Sequence, residues 1–321
     1  MSKSFIFIFP GQGSQKIGMG LDLYRNHHIA REVFDEVDET LNQKLSKIMF
    51  EGSESDLKFT PNTQPALMCV SIAIVKILEY ELKRKISDFV EVVLGHSLGE
   101  YSSLCSVNSI NLEDTSKILR IRGDAMQNSV EGIQTTMVAV IGLDIKEIEE
   151  KINDLKLTED SVCEIANDNC PGQVILSGTK DGVDLVCQKL KDSGARSLIN
   201  LNVGAPFHCS LMKPASLVMA DALSSINFRK PETKFVSNVT ADFEDDKEKI
   251  NRLLVEQIFS KVRWRESILK ASSLEARKIV EIGSGKVLSG INKRIGVNLE
   301  IQNISTLKDL DSFLSDNKSD L

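Results

Sequence analysis

The sequence has no excess of positive charge and no long hydrophobic run. Its 39 lysines and arginines are outnumbered by 46 aspartates and glutamates, which leaves a formal net charge of −7. A chain with this balance neutralises few phosphates, so general nucleic-acid binding is excluded, although a local basic patch for an acidic partner is not. No apolar stretch approaches the roughly 18 residues of a membrane-spanning helix, and we therefore expect no membrane span.

The cysteines are scattered, and their spacing suits neither a metal centre nor a disulfide framework. No C-x-x-C pair and no Cys–His spacing typical of zinc occurs, so we expect no metal, and reduced thiols in the cytoplasm. The first apolar run, Phe5–Phe9, is too short for a secretory signal, and a buried strand explains it better. The six cysteines are Cys69, Cys105, Cys163, Cys170, Cys187 and Cys209.

Strand patterns alternate with helical patterns along most of the chain. Phe5–Phe9 and residues 89–94 are apolar strands. Helical periodicity dominates from 21 to 82 and is broken by a polar stretch at 51–63. This alternation predicts an α/β fold with a largely parallel sheet covered by helices on both faces. Further strands are predicted at 234–238 and 278–282.

The middle of the chain predicts a separate small domain. Residues 134–203 read as strand, helix, strand, strand, helix, strand, which is the ferredoxin-like βαββαβ order. This unit would be inserted in a discontinuous larger domain formed by residues 1–133 and 204–321. Its predicted strands are 137–143, 162–166, 174–177 and 197–203, and its predicted helices are 145–155 and 182–192.

A nucleophile is predicted at Ser97. The segment Gly95-His96-Ser97-Leu98-Gly99 fits G-x-S-x-G and lies between an apolar strand and a helical stretch, which is the context this motif needs. The glycines permit a sharp turn that exposes the hydroxyl. The Leu98 N–H, at the start of the helix, is then a natural oxyanion donor. A capping serine in an ordinary loop is the alternative.

A serine nucleophile needs a base, and histidine is the usual one. Of the four histidines, His27 and His28 lie in a polar stretch that suggests solvent exposure. The His96 side chain, next to Ser97 in the turn, is expected to point away. His208 is left, at a predicted strand-to-helix crossing. No aspartate stands out as its partner, so a backbone carbonyl could orient the imidazole.

Two polar residues fall on apolar helix faces. Arg122 lies within the apolar arc of the helix that begins at residue 112, whereas Arg120 points to the opposite, solvated side. A buried guanidinium needs an anion, which could be an internal carboxylate or a substrate carboxylate. Gln257 interrupts the apolar face of helix 247–259 and is either a satisfied core residue or part of the site. The apolar arc around Arg122 comprises Ile118, Leu119, Ile121, Ala125 and Met126.

Two glycine-rich segments only partly match nucleotide-binding motifs. Gly11-Gln12-Gly13-Ser14-Gln15-Lys16 has lysine where the dinucleotide fingerprint has its third glycine. Gly283-Ser284-Gly285-Lys286-Val287 lacks the first glycine and the final hydroxyl residue of a P-loop. We therefore expect no bound nucleotide cofactor.

Several motifs in the same order resemble one family, the malonyl-CoA:acyl carrier protein transacylases of fatty-acid synthesis, together with the related acyltransferase domains of polyketide synthases. The resemblance runs nearly end to end. The matching segments are FPGQGSQ (9–15), GHSLGE (95–100), Arg122-Gly123, NCPGQV (169–174), APFHCSLM (205–212), SNVTA (237–241) and EIGSGKVLSG (281–290).

The resemblance implies an α/β-hydrolase-like large domain with a ferredoxin-like small domain. It implies that Ser97 is the nucleophile, that His208 is its base, and that Arg122 grips the malonyl carboxylate. No permanently bound cofactor is implied, and coenzyme A enters as the thioester substrate. The remaining implied residues are the oxyanion-hole N–H groups of Gln12 and Leu98, Gln257 as the residue that orients His208 through its carbonyl, and supporting roles for Asn238 and Phe207.

The implied reaction is ping-pong transfer of a malonyl group to acyl carrier protein through malonyl-Ser97. A serine thioesterase or hydrolase with the same turn is one alternative, and a polyketide acyltransferase is another. A non-catalytic subunit that binds acyl carrier protein is a third. The acidic carrier would dock on a basic patch, and the sequence offers two, Lys286 with Lys293 and Arg294, or Lys180 with Lys189 and Lys191.

Overall fold

The computed structural model describes residues 3–155, 157–158, 160–318 and 320–321, which form an α/β fold with two sheets. None of the helices in these ranges is long and apolar enough to cross a membrane. The strands are β1 Phe5–Phe9, β2 Val90–Gly95, β3 Thr135–Ile141, β4 Cys163–Cys170, β5 Gln173–Thr179, β6 Ser197–Asn200, β7 Lys234–Val236, β8 Phe243–Glu244, β9 Lys278–Ile282 and β10 Glu300–Ile304.

The α-helices lie between these strands in the chain, and most of them pack on the two faces of the larger sheet. They are α1 Leu21–Asn26, α2 His28–Thr40, α3 Leu45–Glu51, α4 Glu54–Lys58, α5 Thr60–Leu82, α6 Gly99–Ser106, α7 Leu112–Asn128, α8 Ile145–Asp154, α9 Lys180–Asp192, α10 Lys213–Ser224, α11 Lys247–Gln257, α12 Trp264–Ala271, α13 Val287–Ile295 and α14 Leu307–Asp316.

The larger sheet has the strand order β10-β9-β1-β2-β7-β8, and its pairs are parallel except for the antiparallel pair β7–β8. Strand β1 is buried on both faces, as expected for the centre of a parallel sheet. Because side chains alternate along a strand, Phe5, Phe7 and Phe9 pack into one core, while Ile6 and Ile8 pack into a second core on the other face. The carboxyl ends of β1 and β2 thereby lie side by side.

The smaller sheet is antiparallel, with the order β4-β5-β3-β6. Its two faces have different neighbours. Val138 and Val140 on β3 pack under α8 and α9 in a core of their own. Met137 and Ala139, on the opposite face, join the main core. Helices α8 and α9 therefore cover the side of this sheet that faces away from the larger one.

The structure corrects several expectations about elements. The polar stretch 51–63 is not a break, because it contains α4 and the start of α5, whose polar residues are buried. Strand β4 extends four residues beyond the predicted end at 166, and β6 ends three residues before the predicted end at 203. Strands β8 and β10 were missed because both lie at sheet edges, where half-buried residues carry a weak pattern.

Candidate active site

Ser97 lies in a sharp turn between β2, which ends at Gly95, and α6, which begins at Gly99. Its φ of 55° is in the left-handed region that non-glycine residues rarely adopt, which indicates a strained turn held by its surroundings. A Cβ at position 95 would lie 1.9 Å from the Gly99 carbonyl oxygen, and a Cβ at position 99 would lie 2.3 Å from Phe9 O. Only glycine fits at either position.

His208 is the partner of the serine hydroxyl. Its Nε2 lies 2.7 Å from Ser97 Oγ, and its Nδ1 lies 2.8 Å from the backbone oxygen of Gln257. Since a carbonyl can only accept, Nδ1 carries the proton and Nε2 is free to accept the serine hydroxyl proton. The geometry is that of a nucleophile and base oriented by a main-chain carbonyl, and no aspartate of the described residues bonds to the imidazole.

The imidazole of His208 is held in its neutral form. The side chain is 3% exposed, and its burial, together with the nearby positive charge of Arg122, lowers its pKa to about 3. The hydrogen bond to Gln257 O opposes this shift only in part. A neutral imidazole is the form that can accept a proton from Ser97.

Arg122 reaches the same hydroxyl from α7. The residue is 1% exposed, and its guanidinium donates to Gln64 Oε1 at 2.8 Å, to Gln257 Oε1 at 2.9 Å and to Ser97 Oγ at 3.2 Å. The Tyr101 ring supports it from one side, with Cζ 5.6 Å from the ring centroid. Among the described residues its hydrogen-bond acceptors are all neutral, which leaves the positive charge without a directly bound anion.

Gln257 and Asn238 hold the backbone around Ser97. Asn238 Oδ1 accepts the Ser97 N–H at 2.8 Å, and its Nδ2 donates to Gly95 O at 2.8 Å. Gln257 Nε2 donates to Ser97 O at 2.9 Å and also to the Glu100 carboxylate. Asn238 and Gln257 are both buried. Together they fix the strained turn and connect it to the imidazole.

The Ser97 hydroxyl opens into a pocket at the junction of the two sheets. The residues that line it include Gln12 and Leu98, which were predicted for the oxyanion hole, and Phe207, which was predicted to have a supporting role. Neither the Gln12 nor the Leu98 N–H donates to any backbone or side-chain acceptor among the described residues. The pocket is completed by Gln64, His96, Arg122, Met137, Asn167, Leu201, Val203 and His208.

The other histidines are engaged elsewhere. His96 Nε2 lies 3.0 Å from Asn169 Oδ1, so its ring is directed away from the serine, as expected. His28 is exposed, but the expectation of solvation is wrong for His27, whose side chain is 12% exposed and lies 3.2 Å from Glu81 Oε1. His27 packs against its neighbours because the chain turns from α1 into α2 at this residue.

Two predictions around Arg122 are also wrong. Ile121, placed on the apolar arc, is 36% exposed, because the buried face of α7 is narrower than the arc assumed. Arg120 is not solvated. It is half-buried and donates to Asn62 Oδ1 at 2.8 Å and to Gln43 Oε1. Polar residues of the α2–α5 region therefore satisfy Arg120, whereas Arg122 faces the pocket.

Sequence reasoning missed two buried polar residues that contact the site. Gln64 on α5 accepts from Arg122, and Glu100 on α6 accepts from Gln257. The only signal for Gln64 is its position directly after the polar stretch 51–63, at the start of an otherwise apolar helix. Glu100 lies within a recognised motif, but nothing in the sequence shows that its carboxylate is buried.

Comparisons with known proteins match most of this chain. The acyl transferase domain family matches residues 6–301. The malonyl CoA-acyl carrier protein transacylase of Bacillus subtilis is 40% identical over 300 residues, which cover 94% of this chain and 92% of that protein.

Solved structures of similar proteins have the same fold. The acyl-carrier-protein-S-malonyltransferase of Bartonella henselae superposes with a TM-score of 0.93 at 43% identity, covering 97% of this chain and 98% of that one. A malonyl-transacylase in complex with a type II PKS acyl-carrier protein superposes with a TM-score of 0.92 at 33% identity. The match covers 98% of this chain and 100% of that one. With a family match over most of its length and relatives of this similarity, the chain belongs to the acyl transferase domain family.

Proposed function

We propose that this enzyme transfers the malonyl group of malonyl-CoA to the phosphopantetheine thiol of an acyl carrier protein in fatty-acid synthesis. The observation that carries the proposal is the Ser97 hydroxyl, which lies 2.7 Å from a neutral imidazole and 3.2 Å from a buried guanidinium. A nucleophile, a base and a cation for a carboxylate thus meet at one atom. The names of the similar proteins support the same substrates.

The first half-reaction loads the serine. Ser97 Oγ attacks the thioester carbonyl while His208 Nε2 takes its proton. The N–H groups of Gln12 and Leu98 stabilise the oxyanion, since both line the pocket and have no acceptor of their own among the described residues. The imidazolium then protonates the departing coenzyme A thiolate, which leaves malonyl-Ser97. Coenzyme A acts as a substrate and not as a resident cofactor.

The second half-reaction repeats these steps with a new thiol. His208 takes the proton of the phosphopantetheine thiol, and the sulfur attacks the ester carbonyl of malonyl-Ser97. The tetrahedral intermediate collapses, the serine oxygen leaves, and the imidazolium returns the proton to it. The enzyme regains its starting state, and the malonyl group is a thioester of the carrier protein.

Arg122 selects the malonyl group. Its buried charge has only neutral acceptors among the described residues, so a substrate carboxylate supplies the missing anion. An acyl group without a carboxylate leaves this charge unpaired, which carries a penalty on the order of 1–3 kcal/mol. Phe207 is buried beside His208 on the pocket wall and limits space for a branch on the acyl chain.

We also propose the finer description of the architecture. The larger sheet, with its nucleophile turn after a central parallel strand, supports an α/β-hydrolase-like domain formed by residues 1–133 and 204–321. The order β4-β5-β3-β6 with two helices on one face supports a ferredoxin-like domain at 134–203. The cysteines, all free, support a cytoplasmic location.

Of the two basic patches, the structure favours the one on α13 for docking of the carrier protein. Lys286 is exposed at the start of α13, directly after a loop in which Ser284 Oγ donates to Ser14 O at 2.8 Å. Since Ser14 is two residues from Gln12, this contact supports a docking patch near the Gln12 side of the pocket. Lys180 instead pairs with Asp184 on α9, which covers the face of the small sheet that points away from the pocket.

Intact-protein mass spectrometry tests the proposal. Mixing with malonyl-CoA should give a malonyl adduct on Ser97, and holo acyl carrier protein should then remove it and gain the same mass. Release of free malonate without labelling of the carrier would identify a hydrolase. No adduct at all would contradict the covalent mechanism.

A further inference from the structure

Glu100 is a buried carboxylate three residues beyond the nucleophile. It is the second residue of α6 and is 0% exposed. Burial raises its pKa to about 8, while hydrogen bonds from Asn238 and Gln257 and the charge of Arg122 act in the opposite direction. A charge in such a place is costly, and the reaction steps above make no use of it.

The two oxygens of Glu100 accept from different donors. Oε1 accepts the backbone N–H of Asn238, and Oε2 accepts Nε2–H of Gln257. These are the same residues that hold the Ser97 backbone through its N–H and its carbonyl. An amide would direct a hydrogen at one of these donors, whereas both oxygens of a carboxylate only accept, so the donors favour the ionised form and burial opposes it.

The contacts of Gln257 determine which way its amide is oriented. Its Nε2 faces Glu100, and its Oε1 accepts from the Arg122 guanidinium at 2.9 Å. The reverse orientation would direct N–H groups at a guanidinium and an oxygen at a carboxylate, and both contacts would be repulsive. The amide is therefore held between an anion on one side and a cation on the other.

We propose that Glu100 is a positioning residue that sets malonyl selectivity by locking the Gln257 amide with its oxygen towards Arg122. This inference rests on the proposed role of Arg122. The arrangement places a negative charge one amide away from the guanidinium without occupying it. Arg122 is stabilised in the pocket, yet the substrate carboxylate remains the first anion that contacts it directly.

Replacing Glu100 by glutamine tests the lock. The new amide has one oxygen, which the fixed backbone N–H of Asn238 takes, and its NH₂ then faces Gln257. Gln257 cannot turn over without directing its oxygen at Ser97 O, so the repulsion displaces its side chain, and Arg122 loses an acceptor. We expect the rate of Ser97 loading from malonyl-CoA to fall about tenfold to a hundredfold, the factor that a hydrogen bond to a charged group is worth. Loading from acetyl-CoA should change less.

Glu281→Gln is the matched control. Glu281 is also buried, and its carboxylate accepts the backbone N–H groups of Leu288 and Ser289 at the start of α13. This variant should lower the urea midpoint of unfolding and leave the ratio of malonyl to acetyl loading at the wild-type value. The same ratio in Glu100→Gln would show that Glu100 only supports the fold, and would overturn the inference.

The double variant Glu100→Gln with Gln257→Glu separates stability from selectivity. It restores hydrogen bonding between positions 100 and 257 but not the hydrogen bond to Ser97 O, so we expect the urea midpoint to recover in part. The carboxylate at 257 now binds Arg122 directly and competes with the substrate, so malonyl preference should remain low. Recovery of that preference would overturn the inference, even if the single variant fails to fold. Absence of malonyl loading in the wild-type protein would instead contradict the proposed function itself.

Discussion

The two sheets contribute to the pocket in different ways. Among the described residues, the hydrogen-bond partners of the Ser97, Arg122 and His208 side chains all lie outside residues 134–203. The small sheet supplies a wall that includes Met137 and Asn167. Reacting groups thus belong to one buried polar network, while the opposite wall provides shape. We therefore expect changes in the network to alter the chemistry, and changes in the wall to alter binding.

The largest effect should come from the nucleophile. Ser97→Ala removes the hydroxyl that contacts both His208 Nε2 and the Arg122 guanidinium, so covalent loading from malonyl-CoA should be lost. Mass spectrometry of the intact protein measures it. Ser103→Ala is the control, because its Oγ bonds to Glu100 O within α6, away from the pocket, and it should load normally. A malonyl adduct on Ser97→Ala would place the nucleophile elsewhere.

The second-largest effect should come from replacing Arg122, the residue proposed to bind the malonyl carboxylate. In Arg122→Ala the malonyl group loses its ionic partner, so the ratio of malonyl to acetyl loading should fall by roughly tenfold to a hundredfold or more. Competition between the two thioesters measures the ratio. Arg120→Ala, on the same helix but bonded to Asn62 and Gln43, should keep the wild-type ratio. An unchanged ratio in Arg122→Ala would remove Arg122 from this role.

A smaller effect is expected in the pH dependence. In the proposed mechanism the neutral imidazole is the active form, and a pKa of about 3 instead of the ordinary 6.5 keeps it neutral at mildly acidic pH. Acetyl-CoA loading, which involves no titrating substrate carboxylate, should therefore stay level from pH 8 to 5. In Arg122→Ala the positive charge is gone, so the acid limb should move to higher pH. If acetyl loading by the wild-type protein fell with an apparent pKa near 6.5, the lowered pKa of His208 would be contradicted.

The smallest effect should come from a substitution in the pocket wall on the side of the small sheet. Leu201 follows β6, is half-buried and lines the pocket. Leu201→Ala should lower kcat/KM for malonyl-CoA less than about tenfold, through KM, because it removes contacts made equally by substrate and transition state. Leu185→Ala on the outer helix α9 is the control and should have no effect. A large fall in kcat for Leu201→Ala would show that the small sheet also positions the reacting groups.

Local sequence was sufficient for much of the site. The glycines that flank Ser97 predict the turn because they permit a sharp bend, and a Cβ at position 95 would collide with the Gly99 backbone of the same turn. His208 was identified by elimination among the four histidines. Arg122 and Gln257 were identified from helical periodicity, because a buried polar side chain needs a hydrogen-bond partner or an anion. The central strands of the larger sheet were also predictable from the sequence, because each is a continuous apolar run.

Only the tertiary structure decided how these residues meet. Ser97, Arg122, His208 and Gln257 come from distant parts of the chain, and their distances depend on strand order and helix packing, which periodicity does not encode. For the same reason the sequence could not show that Gln64 and Glu100 are buried against the site, or that Arg120 finds partners on neighbouring helices. A local pattern tells which face of an element is buried, whereas the partner of each buried polar group is set by the elements packed against it.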